Sequence, residues 1–244
     1  MPDVIGPGNE LVGRLRQLAR RRPPGTVLLE GPRVVEEAVR QGAVLSLLAV
    51  REGVAYQAPA ARKVRLAPRA FDAISRTVTP QGVLGVAAEP QATVGAVLGA
   101  AREQGWPLVV LDGIQDPGNV GTICRTAAAA GAPAVAVLDG SADPFGPKAV
   151  RASAGAVFAL RVARGRWEEL ADVPGWGATA SGGRAPEQCE LRAGDVLALG
   201  SEAHGLRRQD LQPVTIPIAT GVESLNVAAA AAILLFEFRR RLTA

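Results

Sequence analysis

Leu108-Val109-Val110-Leu111 is a continuous apolar run, and two similar runs follow it, Ala134-Val135-Ala136-Val137-Leu138 and Val196-Leu197-Ala198-Leu199. Strands without polar alternation are typical of a parallel sheet whose two faces are both covered by helices. Helical patterns lie between and after these runs, at residues 121–130, 167–171 and 224–241. The sequence therefore predicts an α/β domain of the doubly wound sort. Ligands bind such sheets at the carboxyl ends of the strands.

Composition narrows the class of protein. The chain has 244 residues, 48% of them apolar, which is enough for one large or two modest cores. Its two cysteines, Cys124 and Cys189, form no C-x-x-C pair, which favours a reduced, cytoplasmic protein without structural zinc. The first residues lack the pattern of a signal peptide, and the alanine-rich run at 227–236 is too short to span a bilayer. We expect a soluble protein that binds no membrane and no metal.

The chain divides by pattern and by charge. Glu89-Pro90-Gln91-Ala92 is the best linker candidate, and we predict a first module at 1–92, a connecting helix at 93–104 and a second module at 105–244. Residues 1–92 hold 13 Lys and Arg against 8 Asp and Glu, whereas the rest of the chain holds 14 against 15. A basic module beside a near-neutral one favours a polyanion bound by the first. On charge alone, an ordinary solvated surface is equally compatible.

Three stretches that follow predicted strands carry more polar residues than a turn needs. In the first, Asp116-Pro117-Gly118 is a turn, Asn119 is a plausible helix N-cap, and Gly121 permits a close backbone approach. Arg125 lies one turn further along an alanine-rich helix. We expect it to be buried or half-buried there, where a guanidinium needs a carboxylate or a phosphate as its partner.

The second stretch runs from Gly200 to Leu206 and places Glu202 between two glycines, directly after a core strand. Glu202 there either faces a ligand or pairs with a nearby arginine. His204 is the only histidine in the chain, so no His-based metal site or catalytic triad can be built around it.

The third stretch runs from Ile216 to Val227, and we expect Ser224 to cap the helix that follows. Asn226 is left polar in the first turn, either as a second cap or as a ligand contact. Neither G-x-G-x-x-G after a strand nor G-x-x-x-x-G-K-[ST] occurs, which counts against a nicotinamide-dependent dehydrogenase. The residues alone therefore indicate a ligand-binding α/β enzyme with a polyanionic substrate.

Taken together, these stretches resemble the SpoU (TrmH-like) family of RNA 2′-O-ribose methyltransferases, within the SPOUT class. The family pattern N-x-G-x-I-x-R-T-A matches residues 119–127, G-x-E-x-x-G-L matches 200–206, and I-P-[MI]…G…S-L-N-V matches 216–227. Residues 148–156 look like the family's connecting segment, and 29–38 resemble a substrate-binding domain similar to ribosomal protein L30e.

The resemblance implies a SPOUT α/β-knot fold, with a deep C-terminal trefoil knot and a mostly parallel sheet, preceded by a small L30e-like α/β domain. Because knots are very rare, only family membership justifies predicting one. The resemblance also implies S-adenosylmethionine as cofactor, methyl transfer to a ribose 2′-hydroxyl, and a homodimer through the knotted domain. The L30e-like domain favours 23S-type ribosomal RNA as substrate. One alternative is the same chemistry on transfer RNA. The other is a non-catalytic RNA-binding protein that retains the cofactor site.

Site residues follow from the matched motifs. Catalytic roles are expected for Arg125, Asn119, Glu202, Ser224 and Asn226. Cofactor contacts are expected from Leu199, Gly200, Glu202, Ile216, Ile218, Ser224, Leu225 and Asn226. Contacts to RNA are expected from basic residues of the first module and from the motif arginine, namely Arg20, Arg21, Arg22, Arg62, Arg65 and Arg125. A guanidinium stays protonated in proteins, so we expect Arg125 to bind the phosphate beside the target ribose rather than act as a base. Many members have a serine where this chain has Ala228.

Overall fold

A computed structural model describes residues 4–242 and contains two β-sheets with helices on their faces. The predicted fold class is confirmed: a smaller α/β module precedes an α/β module built on a parallel sheet. The trefoil knot and the module boundaries stay predictions. Among the described residues, no helix combines the length and the apolar character that crossing a membrane requires.

The first sheet has five strands in the order β1-β4-β3-β5-β2. Its elements are β1 (Val4–Ile5), α1 (Glu10–Arg20), β2 (Thr26–Glu30), α2 (Pro32–Arg40), β3 (Leu45–Arg51), β4 (Arg62–Leu66), α3 (Pro68–Asp72) and β5 (Val83–Ala88). Helix α1 begins after Asn9, whose side chain accepts a hydrogen bond from the Leu11 N–H at 2.9 Å. Its buried face, with α3, covers one side of the sheet, and α2 covers the other.

The second sheet has six strands, all parallel, in the order β11-β9-β10-β6-β7-β8. Its elements are α4 (Val94–Glu103), β6 (Leu108–Asp112), α5 (Pro117–Ala130), β7 (Ala134–Leu138), α6 (Pro147–Ala152), β8 (Arg161–Gly165), β9 (Gly175–Ala178), β10 (Val196–Gly200), β11 (Gln212–Val214) and α7 (Val227–Leu242). Short 3₁₀ helices occupy Ala156–Ala159, Trp167–Leu170 and Pro186–Gln188.

Both faces of the second sheet are buried, which explains its uninterrupted apolar strands. Leu108 and Val110 pack with α4 on one face, whereas Val109 and Leu111 pack with α5 and α7 on the other. From β6 the chain adds β7 and β8 on one side, and the later strands lie on the other side with β10 against β6. The strand order therefore reverses between β6 and β10, where ligands bind in open α/β sheets.

Two predicted helix starts are wrong, and the cause is the same in both. Helix α5 begins at Pro117, four residues earlier than predicted, and its N-cap is Asp116, whose carboxylate accepts from the Gly118 N–H at 3.1 Å. Asn119 therefore lies in the first turn and is not a cap. Helix α7 begins at Val227, and Asn226 rather than Ser224 caps it by accepting from the Ala228 N–H at 3.0 Å. In each case two suitable side chains compete within one turn, and propensity alone does not choose between them.

Candidate active site

The three polar stretches meet at the carboxyl ends of β6 and β10. The Asn119 side-chain amide donates to the Glu202 carboxylate at 3.1 Å. Asn226 donates from Nδ2 to the same Glu202 oxygen at 3.1 Å and to Asn119 Oδ1 at 3.2 Å. Asn119 is 83 positions from Glu202 and 107 positions from Asn226 in the chain, yet the three side chains form one closed set of hydrogen bonds. We call Asn119, Glu202 and Asn226 the polar trio.

The cap and the trio use different atoms of Asn226. Its Oδ1 accepts from the N–H groups that open α7, while its Nδ2 donates to the polar trio. The same side chain therefore caps the start of α7 and orients Glu202. Ala228, where many relatives have serine, lies buried in that first turn, so its position is filled by packing rather than by a hydroxyl.

An ion pair with a buried carboxylate holds the loop that carries Glu202. Asp112, the last residue of β6, is buried and accepts from the Arg207 backbone N–H at 2.7 Å and from its Nε at 2.6 Å. Arg207 also donates from Nη2 to the Asp139 carbonyl at 2.7 Å, so it ties the loop after β10 to the loops after β6 and β7. Our prediction missed this pair. The signal was an aspartate at the end of an otherwise apolar strand.

Two glycines permit the close contacts around the site. A Cβ on Gly200 would lie 2.4 Å from the Gly205 carbonyl carbon, where the loop folds back on the strand. A Cβ on Gly121 would lie 2.2 Å from the Ala149 carbonyl oxygen, where α6 crosses α5. Any side chain at either position would push apart the elements that bring the polar stretches together.

A cavity of about 300 Å³ opens beside the polar trio. Its walls include seven of the eight residues predicted to contact the cofactor, namely Leu199, Gly200, Glu202, Ile216, Ile218, Ser224 and Leu225. The eighth, Asn226, reaches the cavity only through its hydrogen bond to Glu202. The prediction missed further lining residues at the end of β9 and in the loop after it, namely Ala178, Thr179 and Ala180.

A second, smaller cavity of about 120 Å³ lies on the far side of Glu202. Gly113 and Gln115 from the loop after β6 line it, together with Asn119 from the first turn of α5 and His204. Ser201, Glu202 and Val227 line both cavities, so Glu202 stands in the wall between them. Two molecules, one bound in each cavity, would therefore lie next to each other at the polar trio.

Arg125 is exposed, contrary to our expectation of a buried or half-buried side chain. It makes no hydrogen bond or ion pair with any other residue between 4 and 242. The packed face of α5 is formed by other positions, among them Ile123, Cys124 and Ala127, and Arg125 lies off that face. A guanidinium with no partner among residues 4–242 is available to bind an anion from outside.

The arginines predicted to bind RNA do not form one surface. Arg20 and Arg21 are exposed at the end of α1. Arg62 and Arg65 point to opposite faces of β4, because side chains alternate along a strand. Arg22 is mostly buried in ion pairs with Glu89 and Asp143, and we therefore withdraw it from the predicted RNA contacts.

The remaining titratable groups do not suggest another chemistry. Burial raises the pKa of the Cys124 thiol to about 12, so this cysteine is packed as an apolar side chain. The Lys148 ammonium donates to Asp116 at 2.6 Å and lowers the pKa of that carboxyl. Within residues 4–242 no cluster of histidine, cysteine and acidic side chains could hold a metal ion.

Comparison with known proteins places the chain among RNA methylases. The model of the SpoU rRNA Methylase family matches residues 107–236, and that of the MRM3-like substrate binding domain matches residues 9–85. The chain is 31% identical to the 23S rRNA (guanosine(2553)-2′-O)-methyltransferase RlmP of Bacillus subtilis over 93% of each chain. It resembles the AdoMet-bound rRNA methyltransferase of Sinorhizobium meliloti with a TM-score of 0.79 and 29% identity, over 96% and 95% of the two chains.

A TrmH-family RNA methyltransferase from Porphyromonas gingivalis has a TM-score of 0.75 and 30% identity, covering 96% of this chain and 98% of that one. These likenesses span both sheets, and the family match covers all three polar stretches. The chain therefore belongs to the SpoU rRNA methylase family.

Proposed function

We propose that this protein transfers the methyl group of S-adenosylmethionine to a ribose 2′-hydroxyl of 23S-type ribosomal RNA. The observation that carries the proposal is the polar trio, which joins three family motifs in the wall between two adjoining cavities. The larger cavity is the cofactor site in this proposal, and the smaller one receives the target ribose. RlmP, with 31% identity, carries this activity in its name.

The residues around the larger cavity suit S-adenosylmethionine. Leu199, Ile216, Ile218 and Leu225 offer apolar surface for the adenine ring, and Gly200 leaves backbone accessible beside it. The Glu202 carboxylate in the wall is compatible with a cationic ligand. When bound, the cofactor supplies a methyl group on a positively charged sulfur.

The chain's own residues then act on the ribose and its phosphate. A 2′-hydroxyl is a poor nucleophile at neutral pH, so it must be held in line and its developing charge stabilised. Arg125 is assigned to the phosphate beside the target ribose and to the developing alkoxide, because it is exposed and unpartnered among the described residues. The polar trio is assigned to orienting the sugar. Ser224, exposed at the rim of the larger cavity, is assigned a hydrogen bond to a bound molecule.

The activity is tested with purified protein, labelled S-adenosylmethionine and ribosomal or transfer RNA. We expect label at one ribose of the 23S RNA, and ribose-methylation mapping should show that position unmethylated in a strain lacking the gene. Label on transfer RNA alone would redirect the proposal to that substrate. If no RNA is labelled although calorimetry shows that the cofactor binds, the protein is instead a non-catalytic RNA-binding protein that retains the cofactor site.

The role of Arg125 is tested by Arg125→Lys. Lysine keeps the charge but not the planar fork that binds a phosphate through two nitrogens, so we expect kcat to fall about 100-fold. Binding of S-adenosylhomocysteine, measured by calorimetry, should not change. The exposed Arg161, on β8, provides the control variant Arg161→Lys. Near-normal turnover of Arg125→Lys would show that binding the phosphate through two guanidinium nitrogens plays no part in the mechanism.

The protein is further proposed to act as a homodimer through its second module. Helix α7 presents Ile233 and Phe236, each 45% exposed, on one face. Apolar side chains three residues apart on an outer helix face favour burial against another protein surface.

A cytoplasmic location is also proposed, and it is supported by the two cysteines, which are both free.

A further inference from the structure

A ring of four charged residues joins the two modules. Arg22, two residues after α1, contacts Glu89 and Asp143. Arg164, in β8, contacts the same two carboxylates. Each cation therefore bonds both anions, and each anion both cations. Arg22 belongs to the first module, and Glu89 lies near the carboxyl-terminal end of that module. Asp143 and Arg164 belong to the second module. We call these four residues the charge ring.

Burial makes this ring different from an ordinary surface pair. The Glu89 side chain is 2% exposed and that of Arg22 is 13% exposed. Solvent screens these two charges little, whereas Arg164 and Asp143 are 43% and 39% exposed. Neutralising the buried Glu89 carboxylate takes from each arginine one of its two partners. Desolvation acts to raise the pKa of the Asp143 carboxyl, but hydrogen bonds from Arg164 and Arg22 outweigh it and lower that pKa. The Asp143 carboxylate is therefore charged at neutral pH.

The ring is continuous with the apolar packing between the modules. The Arg164 guanidinium lies 5.7 Å from the centre of the Phe145 ring, and Phe145 packs edge-on against Phe158 at 5.7 Å. Phe158 and Val150 belong to the same buried core as Val27 and Val34 of the first module.

A second set of contacts holds the modules at another point of their interface. A Cβ on Gly155 would lie 2.9 Å from the Val34 carbonyl oxygen in α2, so backbone meets backbone there. Arg151 in α6 lies 3.6 Å from Glu30, at the end of β2. Glu30 in turn accepts hydrogen bonds from Ser75, from Thr77 at 3.0 Å and from the Arg76 N–H at 3.1 Å. The family motif at 148–156 is thus the docking surface for the first module.

We propose that the charge ring holds the first module in a single orientation on the second, so that Glu89 and Arg22 are positioning residues for RNA. The inference rests on the proposed function. In that function the first module, which matches a substrate binding domain, binds the RNA, and methyl transfer occurs at the polar trio in the other module. Their relative orientation therefore determines which ribose reaches the site, and the segment at 89–92 is a fixed junction rather than a flexible linker.

Glu89→Gln is the first test, and it has a readout that does not depend on activity. Spin labels on Ala73→Cys and Glu168→Cys, both exposed, report the distance between the modules, and the native cysteines are buried. We expect a single narrow distance distribution in the parent and a broad one in Glu89→Gln. Glu10→Gln, which removes the exposed ion pair with Arg14 inside the first module, is the control and should leave the distribution narrow.

Kinetics provide the second readout. If only a tenth of Glu89→Gln molecules are docked, the apparent KM for RNA rises about tenfold. RNA binding selects the docked form, so kcat at saturating RNA should stay near the parent value, and binding of S-adenosylhomocysteine should not change. A narrow distance distribution together with an unchanged KM in Glu89→Gln would overturn the proposal.

Two further variants keep the test decisive if Glu89→Gln does not fold. Asp143→Asn removes a half-exposed member of the ring and retains the oxygen that accepts from the Phe145 N–H at 3.0 Å, so it should fold and show a weaker form of the same changes. Arg22→Lys keeps the charge and should lie between the parent and Asp143→Asn. If the parent protein methylates no RNA, the proposed function fails, while the distance measurement still decides whether the ring fixes the modules.

Discussion

At the scale of single residues, Asn226 combines two roles that its sequence position could not separate. Its Oδ1 caps α7, and its Nδ2 bonds Glu202 and Asn119. A cap contributes to stability, whereas the bonds to the polar trio bear on the reaction. Substitutions that keep one role and remove the other can therefore measure each.

Asn226→Ser retains a good cap but cannot donate to both partners, so the free energy of unfolding should stay within about 0.5 kcal/mol of the parent. The kcat for RNA methylation should fall at least about tenfold, which corresponds to the loss of roughly one hydrogen bond. Asn226→Ala should lose the same activity and about 1 kcal/mol of stability as well.

Urea unfolding and methylation assays measure the two effects separately. Asn9→Ser, at the cap of α1, is the matched control and should change neither quantity appreciably. If Asn226→Ser retained full activity, the residue would be a helix cap only, and the polar trio would have no part in the reaction.

At the scale of elements, the site depends on how closely α6 crosses α5. A Cβ on Gly121 would meet the Ala149 carbonyl oxygen at 2.2 Å and the Ala152 Cβ at 2.7 Å, and both helices are held by buried side chains. We expect Gly121→Ala to lower the free energy of unfolding by about 1–3 kcal/mol, as overpacking does in cores.

Gly13→Ala is the matched comparison, because Gly13 lies in α1 with no atom within 4 Å of a built Cβ. Removing a helical glycine there should stabilise the protein by up to about 1 kcal/mol. Opposite signs for the two substitutions in urea unfolding would support the close crossing. A stabilising Gly121→Ala would mean that α6 has room to move away from α5.

At the scale of the whole molecule, the exposed face of α7 tests the proposed dimer. Ile233→Glu with Phe236→Glu places two charges on that face, and we expect the mass by light scattering to fall from about twice 25.1 kDa to the monomer value. Val44→Glu, at an apolar residue of the first module that is 78% exposed, should leave the dimer intact. A parent protein that is already monomeric would contradict the proposal.

Much of the fold follows from patterns that are local in the chain. Continuous apolar strands require two covered faces, and this predicts the parallel sheet and the helices on it. The family resemblance is confirmed by the match at residues 107–236, and seven of the eight cofactor contacts that it implies line one cavity. The errors concern competition within a turn, at Asn119 and Ser224, where local rules favour two residues almost equally.

The amino-acid sequence by itself determined the class of fold, the family and the three stretches from which the site is built, because periodicity and motif spacing act over a few neighbouring residues. Only the tertiary structure decided that Asn119, Glu202 and Asn226 bond one another, that Arg125 is exposed, and that Arg22 joins the modules instead of facing RNA. Arg22 and Asp143 are 121 positions apart. Folding brings such residues together through the packing of whole elements. Local sequence patterns therefore do not predict which distant residues come into contact.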